Sequence, residues 1–171
     1  MKIEQRFGAV KSFELPDDWI ADEPVDLGGR RTVVFRTPDN PAILFCNHFR
    51  DEPLSKSGSS KFQSVLYSQF HDLTESEIED LDDVIEGLNN KTAFSIRQAG
   101  TGYLNDRRII RVRGDWLESQ RSVMSCFIDV DGSGQRVQNL YFGAPIGELE
   151  RWSELADRVF LSIKWSETSP R

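Results

Sequence analysis

From residue 92 to residue 142 the apolar residues keep a period of two, with no helical period between them. Side chains alternate across a strand, so a run of this kind is laid down as successive strands. Ala93 to Arg97, Arg107 to Arg113, Arg121 to Asp129 and Gln135 to Phe142 read as strands. Gly100-Thr101-Gly102 reads as the first turn, and Asp131-Gly132-Ser133-Gly134 is a strong hairpin signal. Parallel strands would need helical crossovers, and none intervenes, so the run predicts an antiparallel meander in an α+β fold.

The flanks supply what covers that sheet. Ser12 to Trp19 alternates as a strand that stops at Pro16, and Trp19 reads as a core anchor. Asp22 to Gly29 reads as a loop, Thr32 to Arg36 and Ala42 to Phe49 as strands joined through Pro38-Asp39-Asn40-Pro41. Residues 54–60, rich in serine, read as a mobile loop. Phe62, Val65, Leu66, Gln69 and Phe70 then fall at helical spacing. A second helix is expected from Thr74, which has capping-box spacing to Glu77. Its stripe is Ile78, Leu81, Val84 or Ile85, and Leu88, and Asn89-Asn90 closes it. Leu149, Trp152, Leu155, Ala156, Val159, Phe160 and Ile163 predict a third helix from Glu148 to Lys164. The expected core is Phe13, Trp19, Val34, Leu44, Leu81, Ile96, Ile110, Phe127, Leu140, Trp152, Leu155, Val159 and Ile163.

A chain of 171 residues suits a single domain, 1–171, with one core that needs neither disulfide nor metal. The N-terminus shows no uninterrupted apolar core of a signal peptide, and Ala42 to Cys46 falls far short of a membrane span. A cytoplasmic location is therefore expected, with Cys46 and Cys126 as reduced, buried thiols. A net charge of −7 argues against duplex nucleic acid, which binds through Lys and Arg.

The opening Phe13-Glu14-Leu15-Pro16-Asp17-Asp18-Trp19 resembles the F-x-L-P-x-x-W opening of the PsbP/DcrB-like superfamily. The close is similar too, a strand from Gln138 to Phe142 followed by a helix ending in Phe160-Leu161-Ser162-Ile163. The resemblance implies an α/β/α-type sandwich, a mostly antiparallel sheet flanked by helices. It also implies a non-enzymatic binder: photosystem accessory subunits, GTPase-binding factors and chaperones for secreted effectors share the superfamily. It carries no functional residue across, since there is no shared catalytic motif. This chain departs from many exported members in lacking a signal, and its acidic second helix matches no family motif.

The candidate chemistry is thin. Cys46 and His48 alternate onto one strand face, but neighbours there sit roughly 6.5–7 Å apart, too far for easy pairing of a thiol with its base. His71 has no ligand partner at zinc-like spacing, and Asp80-Leu81-Asp82-Asp83 lacks the glycine and closing glutamate of a calcium loop. No phosphate loop or nucleophile elbow is present. The expectation is no catalytic residue, no metal and no cofactor.

Charge supplies the other candidates. Glu75, Glu77, Glu79, Asp80, Asp82, Asp83 and Glu86 crowd one predicted helix without an intervening cation. They form either a solvated outer face or a docking surface for a basic partner. Arg107, Arg111 and Arg113 alternate onto one face of a predicted strand as a basic stripe, with Arg97, Arg121 and Arg136 on neighbours. With Tyr103, Tyr141 and Trp116 that stripe would resemble a single-strand nucleic-acid platform, which the overall charge opposes. The sequence reading is a protein-binding module of adaptor, effector-chaperone or immunity type. Its contact residues are Glu75, Glu79, Asp82, Asp83, Glu86, Arg107, Arg111 and Arg113, and its partner is a protein of complementary charge. The alternatives are an enzyme using Cys46 and His48, and an oligomer pairing through an exposed edge of the meander.

Overall fold

The computed structural model describes residues 1–86 and 93–167. Strands β1 (Lys2–Phe7) and β2 (Val10–Glu14) form a hairpin, followed by the short β3 (Ile20–Ala21) and β4 (Val25–Leu27), then β5 (Arg30–Arg36) and β6 (Leu44–Arg50). Helices α1 (Lys56–Leu66) and α2 (Glu75–Glu79) precede the meander of β7 (Phe94–Leu104), β8 (Arg107–Trp116), β9 (Arg121–Asp129) and β10 (Val137–Pro145). A 3₁₀ turn (Leu149–Trp152), α3 (Ser153–Ser162) and β11 (Lys164–Trp165) close the described chain.

The main sheet runs β3-β5-β6-β10-β9-β8-β7, with β4 beside β3 on the outer edge of β5, and all its pairs are antiparallel. The chain leaves β6, carries its helices over one face, restarts at the far edge with β7 and meanders back until β10 closes on β6. A second sheet, β1-β2-β11, packs with α3 on the opposite face. The expected α+β sandwich is thus observed, with a small sheet sharing one outer layer with a helix.

Both faces of the main sheet are apolar. One carries Phe35, Phe45, Phe142, Met124, Leu140 and Ile109 against α3 and β2. There Phe45 meets Phe13 and Phe160 edge-on, at 4.9 and 5.8 Å between ring centres, geometry that favours the ring quadrupoles. The other face carries Ile110, Val112, Phe127 and Val137 against Phe62, Val65 and Leu66 of α1 and Leu81, Val84 and Ile85. Trp19 is buried on Phe142, as expected. Most of the expected core is buried. Val34, though, is half-buried while its neighbours Val33 and Phe35 are covered. Near its edge the sheet is covered by the small sheet on one side, and among the described residues only partly covered on the other.

Several boundaries differ from the sequence reading. The serine-rich stretch is helical from Lys56, because the Ser55 hydroxyl accepts the Gly58 amide at 2.9 Å and caps α1. That helix ends at Leu66, so Gln69 and Phe70 fall outside it. The Thr74 capping box forms, yet α2 stops at Glu79 and turns carry Leu81, Val84 and Ile85 into the core. Like charges at helical spacing with no cation among them give a longer helix little support. Gly87, Leu88, Asn89 and Asn90 lie outside the described residues. Residues Val25–Leu27 of the expected loop pair with β5. The third helix is α-helical only over Ser153–Ser162, with the 3₁₀ turn before it, and Lys164 stands in β11 rather than ending the helix.

Gly100 and Gly102 are not a turn but lie within β7. The reversal is Asn105-Asp106, both at positive φ (48° and 64°), the two-residue type that suits a tight hairpin. Gly100 answers a different need, since a Cβ there would come within 3.1 Å of the His71 carbonyl. Residues 71–73 bond to this edge, Leu73 N to Ala99 O at 2.8 Å and Thr101 N to His71 O at 3.0 Å. The meander edge expected as a free pairing surface is therefore taken in its middle.

Side chains bind the layers together through backbone groups. Asn105 Nδ2 reaches the carbonyls of Phe160, Leu161 and Ile163 at the end of α3, and Trp165 Nε1 donates to Leu104 O and Asn105 O. Buried Gln138 accepts the Ala9 amide at 2.6 Å and donates to Asn47 Oδ1 at 2.7 Å. Gln138→Leu, which keeps the volume but strands the Ala9 amide, should cost about 1–3 kcal/mol. Urea unfolding of both forms checks this, with the loss seen as a lower midpoint at unchanged slope.

Candidate functional site

The acidic residues do not form one free surface. Glu77 accepts from His71 at 2.8 Å and from the Thr74 amide at 2.9 Å, and Asp80 pairs with Lys61 at 3.2 Å. Asp83 accepts from Ser55 at 2.6 Å, while Arg50 donates to its carbonyl at 2.6 Å. Glu86 pairs with Arg30. Glu75, Glu79 and Asp82 are left exposed, with no partner among the described residues.

The basic stripe is also broken up. Alternation places Arg107, Arg111 and Arg113 on the face of Ile109, as expected, but the C-terminal strand covers the first of them. Arg107 is buried, donates to the Asp129 and Val130 carbonyls and lies 5.2 Å from the Trp165 ring centre. It holds the β9–β10 hairpin and the C-terminal segment, and it is unavailable as a docking residue. Arg113 pairs with Glu150 at 2.9 Å, Arg97 with Asp115 at 2.8 Å and Arg136 with Asp51 at 3.1 Å. Arg111 stays exposed. Tyr141 and Trp116 belong to the helix-covered face, so no aromatic platform forms along the arginines.

What the sequence reading missed is an exposed aromatic pair beside these charges. Phe70, just past α1, and Tyr103, at the end of β7, stand edge to face at 4.9 Å, each about half exposed. The Arg108 guanidinium lies 4.8 Å from the Phe70 ring centre and is fixed by the Leu66 and Ser68 carbonyls at 3.0 and 2.6 Å. Tyr67 is exposed nearby in sequence, and Arg111 Nη2 reaches the Tyr103 carbonyl at 3.5 Å. Helical spacing points Phe70 into the core, so only the early end of α1 reveals its exposure.

The second site is a cavity of about 140 Å³ on the helix-covered face. Its floor comes from a row of cross-strand partners, Thr32 opposite His48, His48 opposite Asn139, and Asn139 opposite Phe127. Cys46 and Tyr141, themselves opposed, form the next row. Val84, Ile85 and Glu86 wall one side, and Phe94 with Trp116, 4.8 Å apart, the other. Thr32 Oγ1 lies 2.7 Å from His48 Nδ1, and Glu86 Oε1 is 3.9 Å from His48 Nε2.

Cys46 and His48 do line one cavity, as their alternation implies, but the thiol is bonded to Tyr141 rather than to the imidazole. Burial pushes the Cys46 pKa up to about 12, and that of Cys126 likewise to about 12. Both thiols are thus protonated at neutral pH, and a nucleophile needs the thiolate. Burial also lowers the pKa of His48, against the pull of Glu86 and with the help of Arg30 and Arg50. Among the described residues no group of His, Cys, Asp and Glu is gathered as a metal site.

No family model and no curated protein matches the chain. Among solved structures the fold is similar to the solution structure of cyanobacterial PsbP (CyanoP) from Synechocystis sp. PCC 6803. The TM-score is 0.58 at 11% identity, over 97% of this chain and 92% of that one. The fold is PsbP-like, in agreement with the resemblance drawn from the opening and closing segments.

Two outcomes follow from the cavity's electrostatics. Because His48 is held below its ordinary value of 6.5, the unfolded chain binds the proton more readily. Stability is then full above that value and falls as the pH drops from it through the depressed pKa. His48→Gln should remove this component of the acid-side loss, read by denaturant melts between pH 5 and 7. Iodoacetamide should leave Cys46 and Cys126 unmodified in the folded protein and alkylate both once it is denatured, as mass spectrometry would show.

Proposed function

We propose that this chain is a cytoplasmic protein-binding domain that works without catalysis, in the manner of an adaptor, effector chaperone or immunity protein. The Phe70–Tyr103 pair under Arg108 is the observation that carries the reading. Aromatic residues and arginine are enriched where interfaces hold their binding energy, and a rim of charge around them fits that anatomy. Arg111 rises from the opposite face of the sheet and reaches only the Tyr103 carbonyl, while the acids Asp72, Glu75 and Glu79 come within nine residues after Phe70 along the chain. With a net charge of −7 and carboxylates at Glu75, Glu79 and Asp82 that have no partner among the described residues, the complementary partner is a protein with a basic surface. It would also present an apolar side chain to the two rings.

Two further observations accord with this. Free, buried thiols suit a reducing compartment, and no helix among the described residues is long and apolar enough to cross a membrane. Protonated thiols fit a binder better than a cysteine enzyme.

Affinity capture from source-cell lysate, repeated with variants, tests the reading. The wild type should retain one stoichiometric partner and release it progressively as salt rises. Phe70→Ala with Tyr103→Ala should weaken retention by about tenfold or more while the melting temperature holds. Reversing Asp82 to Lys should lower retention less and reduce its salt dependence. Equal retention by wild type and aromatic variant overturns the surface, and a clean chain with nothing bound overturns the function.

A further inference from the structure

Residues 69–73 lie as a strap along the outer edge of β7, between the end of α1 and the start of α2. Asp72 bridges Gly100, Leu73 N donates to Ala99 O, and Thr101 N donates to His71 O. The His71 amide in turn donates to Thr101 Oγ1 at 3.2 Å, and that hydroxyl donates to Gln69 O at 3.1 Å. The strap thus meets the sheet edge through a few bonds, all of them gathered around His71.

The His71 imidazole ties the strap to α2. Nδ1 lies 2.5 Å from Gln69 O, and Nε2 lies 2.8 Å from Glu77 Oε1. Both partners only accept. One is a backbone carbonyl, and the other is a carboxylate whose second oxygen takes the Thr74 amide at 2.9 Å in the capping box. A neutral imidazole has one N–H and a bare lone pair on its other nitrogen, so it satisfies one of these contacts and not both. The imidazolium satisfies both, and its charge strengthens the bond to Glu77.

The charges around the ring agree with this. The Gln69 carbonyl first, and Glu77 next, hold the His71 pKa above its ordinary 6.5, against a small opposing effect of burial. Asp72, on the strap itself, pulls the same way and shares a surface hollow with Arg111 and Arg113 of β8. β7 presents the neutral Thr101 hydroxyl. Arg108 of β8 is directed to the Phe70 ring and to the Leu66 and Ser68 carbonyls.

We propose that His71 is a proton-operated latch: charged, it clasps Gln69 to α2 and holds the strap on β7, and neutral, it releases one partner and the strap loosens from Ala99 and Thr101. The folded chain binds this proton more tightly than the unfolded one. The latch is therefore complete below pH 6.5 and is lost as the pH rises through the raised value. Loosening bares the middle of the β7 edge and moves Phe70, which the strap carries. The latch stands whatever partner the Phe70–Tyr103 surface takes.

Solvent-exchange NMR on the full chain tests it, following the His71 ring shifts and the Thr101 and Leu73 amides from about pH 5 to 9. Each exchange rate is divided by its intrinsic value at that pH. His71 should titrate above 6.5, and protection of both amides should fall by about threefold or more across its midpoint while amides in β9 hold. His71→Gln should make the protection independent of pH. Glu77→Gln keeps an acceptor for the Thr74 amide but removes the charge, and should bring the His71 midpoint down. The loosening should move down with it, which keeps the test decisive should the His71 variant fold poorly. A His71 midpoint at or below 6.5 overturns the proposal. So does a raised midpoint across which both amides keep their protection, the mark of a surface ion pair only, or an unchanged pH dependence in His71→Gln.

Discussion

A broad sheet that is apolar on both faces has to be covered twice, and most of this architecture is the means of doing so. The main path holds seven strands abreast, roughly 30 Å across at the usual strand spacing. A helix is only about 10–12 Å wide, so no single helix can cover it. On one face α3 shares the task with the small sheet of β1, β2 and β11. On the other, the eleven residues of α1 and the turn residues Leu81, Val84 and Ile85 cover the strands from β8 to β10. The remaining floor, toward β6 and β5, is polar at Thr32, His48 and Asn139, and the cavity lies beyond the cover that the described residues give.

The covers are held in place by a few side chains that bond to backbone rather than to each other. Gln138 holds the turn between β1 and β2, Asn105 receives the end of α3, and Arg107 anchors the β9–β10 turn beneath Trp165. Each is a polar or charged group in a place where an unpaired one would be costly, and each is satisfied. In return, each fixes an otherwise sliding contact between layers. This use of Arg107 removes it from the surface, which is why a basic stripe read from strand alternation does not materialise.

Much of the sheet was legible because its signals are local. Alternation from Arg121 to Asp129 and the Asp131–Gly134 turn appear where the sequence places them, and so do the Thr74 capping box and the buried face of Leu81, Val84 and Ile85. The errors arose where a residue type has more than one use. Glycine at 100 allows a close approach by another segment rather than a reversal, and serine at 55 starts a helix rather than loosening a loop. The two sites were harder still. Asn139 joins His48 only through the β6–β10 register, and Phe70 meets Tyr103 only because α1 ends early; neither partner is near the other in sequence. The Cys46–His48 alternation was visible and does put both in one cavity, but the thiol's partner, Tyr141, comes from that same distant strand.

The insertion of β10 between β6 and β9 has a consequence for how the protein comes into being. The bond between Asn47 on β6 and Gln138 on β10 spans 91 residues. During synthesis β6, with Leu44, Phe45 and Cys46, must therefore wait with one edge unpaired while both helices and the meander emerge. Long-range pairing of this kind slows folding, and an open apolar edge invites association with other nascent chains. Polar Asn47 and His48 and basic Arg50 on that same strand interrupt its apolar run, and so make it a poorer template during the delay.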